Sequence, residues 1–453
     1  MEKQSRGRGI EENTMAILDT SGFNRDSHHR NDDRLAFMEA VRSASLVPDD
    51  GIAPTKTMFG AIFQILKDES TLELVVASYQ LLNELDKRFP RVYLPEIEMS
   101  ESSSPTELVV VEEAWSPFSF GLDSEKEESN KVSGRSIKPL GFHYLVQDLG
   151  EVVKEGKPEA TDIKTLRNML LFQYLVNVLE RDALPRIHSY KENMNWNLIR
   201  ESLLNMLLGS RKLIYKTLIK DCLSAMCYMH HEMSQTQNLS MELSANCNTA
   251  VVMALPEVKS CACVALKKLL LLIIELDSVR NSADLQGLTN RADGVRTPVS
   301  EIILDEITYN SDILSSFFQI FDEPKQKLKL IVQYLQKYIP KSSVRTRRSN
   351  GSANDATFES ILKCFSNANS TKSIIKKISG DVAQLLLGHA FQAYLSMCDT
   401  DSEEGVKSFS LPEVCQNIIT AFTCIKREDK GTEISVFSKE TLFTAATILS
   451  LKS

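Results

Sequence analysis

The sequence predicts an all-α fold, an irregular helical stack of the α-solenoid kind, on three observations. Apolar residues return every three or four positions from end to end, clusters of Pro, Gly, Ser and Asn punctuate those runs, and strand-like alternation is nearly absent. With 453 residues, 43% of them hydrophobic and 25% charged, the chain has the composition of a folded protein with room for about three domains. Its net charge of −8 disfavours recruitment of nucleic acid or anionic lipid by the molecule as a whole, so any such binding is local. No stretch approaches the roughly 20 apolar residues of a membrane span. The start lacks a signal-peptide pattern, and nine scattered cysteines read as reduced thiols.

Residues 1–31 read as a flexible tail and 32–95 as an N-terminal helical segment. In the first helix, 32–47, Phe37, Ala40, Val41 and Ala44 share one stripe, Asp32 and Asp33 suit the N-terminal dipole, and Pro48 ends the run. Helices at 54–67 and 70–89 follow, the second stopped by Pro90. Residues 96–137 form an acidic, largely flexible connection. Between 96 and 128, ten acids face Lys126 alone, a local charge of −9 that leaves the rest of the chain at +1. Trp115, Phe118 and Phe120 are its candidate anchors to the body.

A central helical stack is expected over 138–341, with helices at 161–181, 195–208, 211–229, 255–277, 298–309, 312–321 and 324–338. Pro298 and Pro324 sit where a helix's first amide hydrogen is not needed. Ser and Asn mark 233–251 as a loop, a basic and polar loop spans 342–356, and a C-terminal segment, 357–453, carries helices at 358–365, 381–397, 411–426 and 437–451. No repeat of fixed period is present, which makes the stack irregular.

Motifs for chemistry are missing. No Gly-rich phosphate loop, dinucleotide fingerprint or nucleophile elbow occurs, and His230 and His231 lack the His-Glu-x-x-His spacing. Cys222 and Cys227, separated by four residues, and Cys261 and Cys263, separated by one, do not form the two pairs of a zinc site. His389, on the stripe of Val382, Leu385 and Leu386, reads as a hydrogen-bonded core histidine. The expectation is therefore no catalytic residue, no metal, no cofactor and no small-molecule substrate. One charge run stands out: 325–348 contains no acid. Lys325, Lys327, Lys329 and Lys337 are placed on a basic helix face, with Leu328, Ile331, Val332 and Leu335 on the apolar one. Lys341, Arg345, Arg347 and Arg348 form a candidate nuclear-import or anion-docking cluster.

The chain resembles a known family, the plant negative regulators of systemic acquired resistance of the suppressor-and-inducible type. The resemblance is carried by Asp33-Arg-Leu-Ala-Phe-Met-Glu-Ala-Val-Arg-Ser-Ala-Ser-Leu-Val-Pro48, Glu113-Ala-Trp-Ser-Pro-Phe-Ser-Phe-Gly121 and Met194-Asn-Trp-Asn-Leu198. It extends through Gly287-Leu-Thr-Asn-Arg-Ala-Asp-Gly-Val-Arg-Thr-Pro298, Tyr334-Leu-Gln-Lys-Tyr-Ile-Pro340, Val344-Arg-Thr-Arg-Arg348 and Gly388-His-Ala-Phe391. It implies an armadillo-like, non-enzymatic nuclear protein that restrains defence-gene transcription. It further implies a non-SMC subunit of the plant SMC-five/SMC-six genome-maintenance complex, partnered with the non-SMC element of the fifth type and the SMC subunits, acting in the DNA damage response and homologous recombination. The alternative reading is a direct DNA-binding repressor that uses the basic run 325–348.

Overall fold

The computed structural model describes residues 13–18, 27–95, 108–111, 113–120, 136–155, 163–236, 249–290, 293, 296–309, 311–339, 357–398, 411–429, 431 and 433–452. The fold is all-α. Among the described residues, helices account for almost all regular structure, with one two-stranded antiparallel pairing and an isolated parallel bridge between Phe118 and Ile137. The chain divides into two compact units, 1–302 and 303–453, so the boundary falls inside a helix rather than at the acidic connection or at 342–356.

The first unit opens with α1 (Ser27–Ser45), α2 (Lys56–Asp68) and α3 (Leu72–Arg88). Helix α1 buries Phe37, Met38 and Val41, but it starts well before Asp32 and Asp33, which therefore lie in its middle rather than at its N-terminus. Thr55 caps α2 by accepting from the Met58 amide. Strand β1 (Val92–Tyr93) pairs with β2 (Val109–Val110), and helices α4 (Pro139–Glu155) and α5 (Ile163–Asn193) follow. Short α6 (Trp196–Arg200) and α7 (Leu203–Leu208) lead to α8 (Tyr215–Thr236) and α9 (Thr249–Leu285).

Helix α5 is the hub of this unit, touching α2, α3, α4, α6, α7, α9 and β1. Its 31 residues bury side chains around the circumference, including Leu166, Phe172, Tyr174, Leu179, Ile187 and Tyr190, as a helix enclosed on all sides must. The expected end near 181 is not observed: α5 runs through Pro185 to Asn193, because enclosing contacts hold the turn where one amide hydrogen is missing. It stops at Met194, whose φ of 56° turns the chain out of the helix. Helix α9 likewise runs through Pro256, and Gly287 at φ 71° closes it, with the Leu288 amide donating to the Ala283 carbonyl at 2.9 Å. The loop expected at 233–251 shrinks accordingly: α8 reaches Thr236 and α9 begins at Thr249, with 237–248 outside the described residues.

Part of the acidic connection is packed. Trp115 stacks on Phe59 at 5.4 Å and meets Phe63 edge-on at 5.5 Å, while Phe118 lies against Phe120 and Phe142. Ser119 donates its amide to the Ile137 carbonyl at 3.0 Å. These contacts hold 113–120 on the helices; 96–107 and 121–135 lie outside the described residues.

In the second unit, α10 (Val299–Tyr309), which begins in the first, leads to α11 (Ser311–Ile320), α12 (Pro324–Gln336), α13 (Phe358–Phe365), α14 (Ala368–Ile378), α15 (Gly380–Cys398), α16 (Leu411–Glu428) and α17 (Val436–Lys452). Helix α15 packs on α12, α14, α16 and α17. Helix α14 was not expected from its Asn, Ser and Thr content. Asn367 caps it through the Asn369 and Ser370 amides, and the buried Thr371, Ile374 and Ile378 hold it.

Candidate functional site

Of the four lysines expected on the basic face, Lys325 and Lys329 on α12 and Lys337 just past its end are exposed, and Lys337 pairs with Asp305 at 3.4 Å. Lys327 is not on that face. It is 8% exposed, and burial lowers its pKa while Asp322 partly restores it. The buried stripe is Lys327, Leu330, Ile331, Val332, Tyr334 and Leu335, with Leu328 only half-buried. A helix advances about 100° per residue, so residues i and i+4 lie about 40° apart while i+2 lies about 200° from i, which turns the middle one away from the outer two. Lys341, Arg345, Arg347 and Arg348 lie outside the described residues.

His389 is buried, but not hydrogen-bonded as expected: neither ring nitrogen has a hydrogen-bond partner. The ring sits 4.5 Å from Phe437 and 6.1 Å from Phe318. Burial, and then the charge of Lys327, push its pKa down to about 3, so it is neutral at physiological pH. Cys222 and Cys227 are buried, their thiols raised by desolvation, Cys227 to about 12. Burial and the adjacent His231 lower the His230 pKa. Among the described residues, no group of three or more His, Cys, Asp or Glu side chains is placed to hold a metal.

The feature that sequence reasoning missed is a cleft of about 710 Å3 in the first unit, formed where α2, α3, the β1–β2 pair, the 113–117 segment, α5 and α7 meet. Aromatic rings line it: Phe59 and Trp115, already stacked, with Phe89 and Tyr93. Pro54, Pro90, Pro95 and Pro117 stiffen its backbone. Five basic side chains reach it, Lys56, Lys87, Arg88, Arg91 and Arg181, against three carboxylates, Asp86, Glu113 and Asp182.

The base of the cleft is built on a buried ion network. Asp182, with a side chain 1% exposed, accepts from Arg186 Nε at 3.3 Å and from the Leu203 amide at 2.7 Å. Arg186, equally buried, also donates to the Leu198 carbonyl at 3.0 Å. One carboxylate thereby ties α5 to the starts of α7 and β1, because Arg91 Nε lies 3.4 Å from Asp182 Oδ1. Burial raises the Asp182 pKa, while Arg186, the Leu203 amide and Arg91 pull it back. On the neighbouring turn, Arg181 Nη1 is 3.7 Å from Asp86 Oδ2. Burial pushes Asp86 up to about 6 against the opposing pull of Arg181. The nearby Tyr174 hydroxyl is raised well above its ordinary value by burial and by the Asp86 charge. Arg91 and Arg181 are thus within ion-pair range of carboxylates, yet Arg91 Nε and Arg181 Nη1 have no hydrogen-bond acceptor.

Comparison with known proteins places the whole chain. A family model for the SNI1 middle domain matches residues 91–323, and one for the SNI1 C-terminal domain matches residues 339–453. The chain is 46% identical over 449 residues to the Arabidopsis thaliana protein "Negative regulator of systemic acquired resistance SNI1", covering 99% of this chain and 96% of that one. No solved structure matches.

Proposed function

The chain belongs to the SNI1 family, and from that premise we propose that it acts as a negative regulator of systemic acquired resistance, working by protein contact rather than by catalysis. The observation that carries this reading is the 46% identity sustained over 99% of this chain and 96% of the relative. The finer reading is a nuclear scaffold subunit of the SMC-five/SMC-six complex, engaging the non-SMC element of the fifth type and the SMC subunits, with roles in DNA repair, recombination and defence-gene transcription. Its support is the family resemblance together with the all-helical fold of both units, since stacked helices are a common basis for binding surfaces.

Complementation tests the coarser statement. Expressed in Arabidopsis lacking its own SNI1, the chain restores the restraint on defence-marker transcripts; elevated transcripts despite normal protein levels would remove the reading. Affinity purification from nuclei tests the finer one: SMC subunits co-purify, and their absence under gentle conditions would confine the proposal to resistance alone. The alternative of direct DNA binding through 325–348 is weakened by the burial of Lys327 and the pairing of Lys337 with Asp305.

A further inference from the structure

We propose that the cleft of the first unit is a docking site for an acidic, extended peptide segment of a partner protein. The inference rests on this unit's own side chains and goes beyond the regulatory reading above, whichever complex the chain joins. At about 710 Å3, the cleft falls within the roughly 300–1,000 Å3 typical of ligand sites and has room for a few residues of peptide.

Charge is the first argument. In a chain of net −8, the cleft gathers five cations against three carboxylates. Asp86 and Asp182 are already engaged with Arg181 and Arg91, and Arg88 donates to the Pro48 and Asp49 carbonyls. Lys56 and Lys87, both exposed, add positive charge opposed within the lining by Glu113. The lining side chains therefore carry net positive charge, which favours an anion in contact with them.

The second argument is hydrogen-bonding capacity. Arg91 Nε and Arg181 Nη1 are buried donors without acceptors, a condition native proteins rarely leave unresolved. Arg181 Nη2 donates to Asn83 Oδ1 at 3.4 Å, which leaves Arg181 Nη1 and Arg91 Nε as the donors a better-aligned carboxylate can take up. The third argument is the apolar lining. Trp115, Phe59 and Tyr93 offer rings to aliphatic or aromatic side chains lying between the acids, and Tyr93 and Val111 are 41% and 39% exposed in the free chain. Arginine clusters beside aromatic walls are a recurrent means of recognising acidic motifs.

The test uses the full-length chain and a fluorescein-labelled ten-residue peptide in which Glu and Asp alternate with Val and Tyr. The control peptide carries Gln and Asn in place of the acids. The acidic peptide is expected to bind at least tenfold more tightly than the control at low salt, with affinity falling as salt rises. In a W196F background Trp115 is the remaining tryptophan, and its emission should change on binding. The double variant K56Q/K87Q changes two exposed side chains, preserves the fold and should weaken binding about fivefold to tenfold. R181Q should weaken it further, with far-ultraviolet circular dichroism verifying that the helices persist. Equal affinity for the two peptides, or no loss in K56Q/K87Q, would overturn the proposal. So would displacement of the peptide by a 20-base-pair DNA duplex or by inorganic phosphate at comparable concentration, since either would make the site one for phosphate groups.

Discussion

In residues 1–302 the buried carboxylate of Asp182 is met by two guanidinium groups and a backbone amide, whereas in residues 303–453 the buried imidazole of His389 lies between aromatic rings with both nitrogens unbonded. Gln384 on the same helix α15 also has a buried, unbonded side-chain oxygen. The difference follows from what each group can become. Burial raises the Asp182 pKa while Arg186, the Leu203 amide and Arg91 pull it back, and removing a carboxylate from water without partners is costly, so the fold surrounds it with donors. An imidazole can shed its charge. Its pKa falls to about 3, and the fold carries a neutral polar group at the smaller cost of unmade hydrogen bonds.

The sharpest test of this contrast is Asp182→Ala. Arg186 would be left buried without its carboxylate and the Leu203 amide without its acceptor. A loss of about 3–5 kcal/mol in urea-unfolding free energy is expected. Asp182→Asn should cost less, because an amide oxygen still accepts from Leu203. A loss under about 1 kcal/mol for the alanine variant would break the comparison.

Next in size is His389→Met, which removes the unsatisfied ring. With the folded pKa near 3 and the ordinary value at 6.5, the unfolded chain binds the extra proton between those limits. The native protein therefore loses stability through this group as pH falls below 6.5, by up to about 1.4 kcal/mol per pH unit. At pH 5 the variant should be about 2 kcal/mol better than at pH 7, relative to the parent. Identical pH profiles would show that the imidazole is charged in the fold or exposed to water.

Asp86 gives a change of opposite sign. Its folded pKa of about 6 lies above the ordinary 3.8, so the folded chain holds the proton between those values and gains stability as pH falls from 6 toward 4. Asp86→Asn should abolish that gain, a difference of about 2 kcal/mol between pH 7 and pH 4 in thermal melts. The smallest effect is expected for Gly388→Ala, beside His389. An added Cβ would lie 2.6 Å from Phe437 Cε1 and 3.1 Å from Thr441 Oγ1. Phe437 is only half-buried and can yield, for a cost of about 1 kcal/mol. A much larger loss would mean that the aromatic ring over His389 is rigid.

Much of the helical fold is legible in local pattern. Helices α2, α3, α12, α13, α15, α16 and α17 end within two residues of where apolar spacing and flanking Pro, Gly or polar clusters place them. Pro185 and Pro256 are harder to read, because a proline stops a helix unless tertiary contacts enclose the turn. Helix α14 is carried by a cap and three buried side chains against weak propensity. The misplaced Lys327 was within reach of the sequence: lysines at 325, 327 and 329 match the period of a strand, and on a helix the middle one must turn inward.

The all-helical class, the ends of most helices, the family, and the concentration of acid in 96–128 belong to the sequence by itself, whereas helices α4 and α14 are not read from it. The cleft belongs to tertiary structure alone. Its walls come from stretches near residues 53–59, 86–95, 111–117, 178–182 and 203, separated by whole helices, and no local spacing announces that Trp115 will stack on Phe59 or that Arg91 will reach Asp182. Burial decided the rest. The charge a side chain carries depends on the water and partners around it, and only packing determines those.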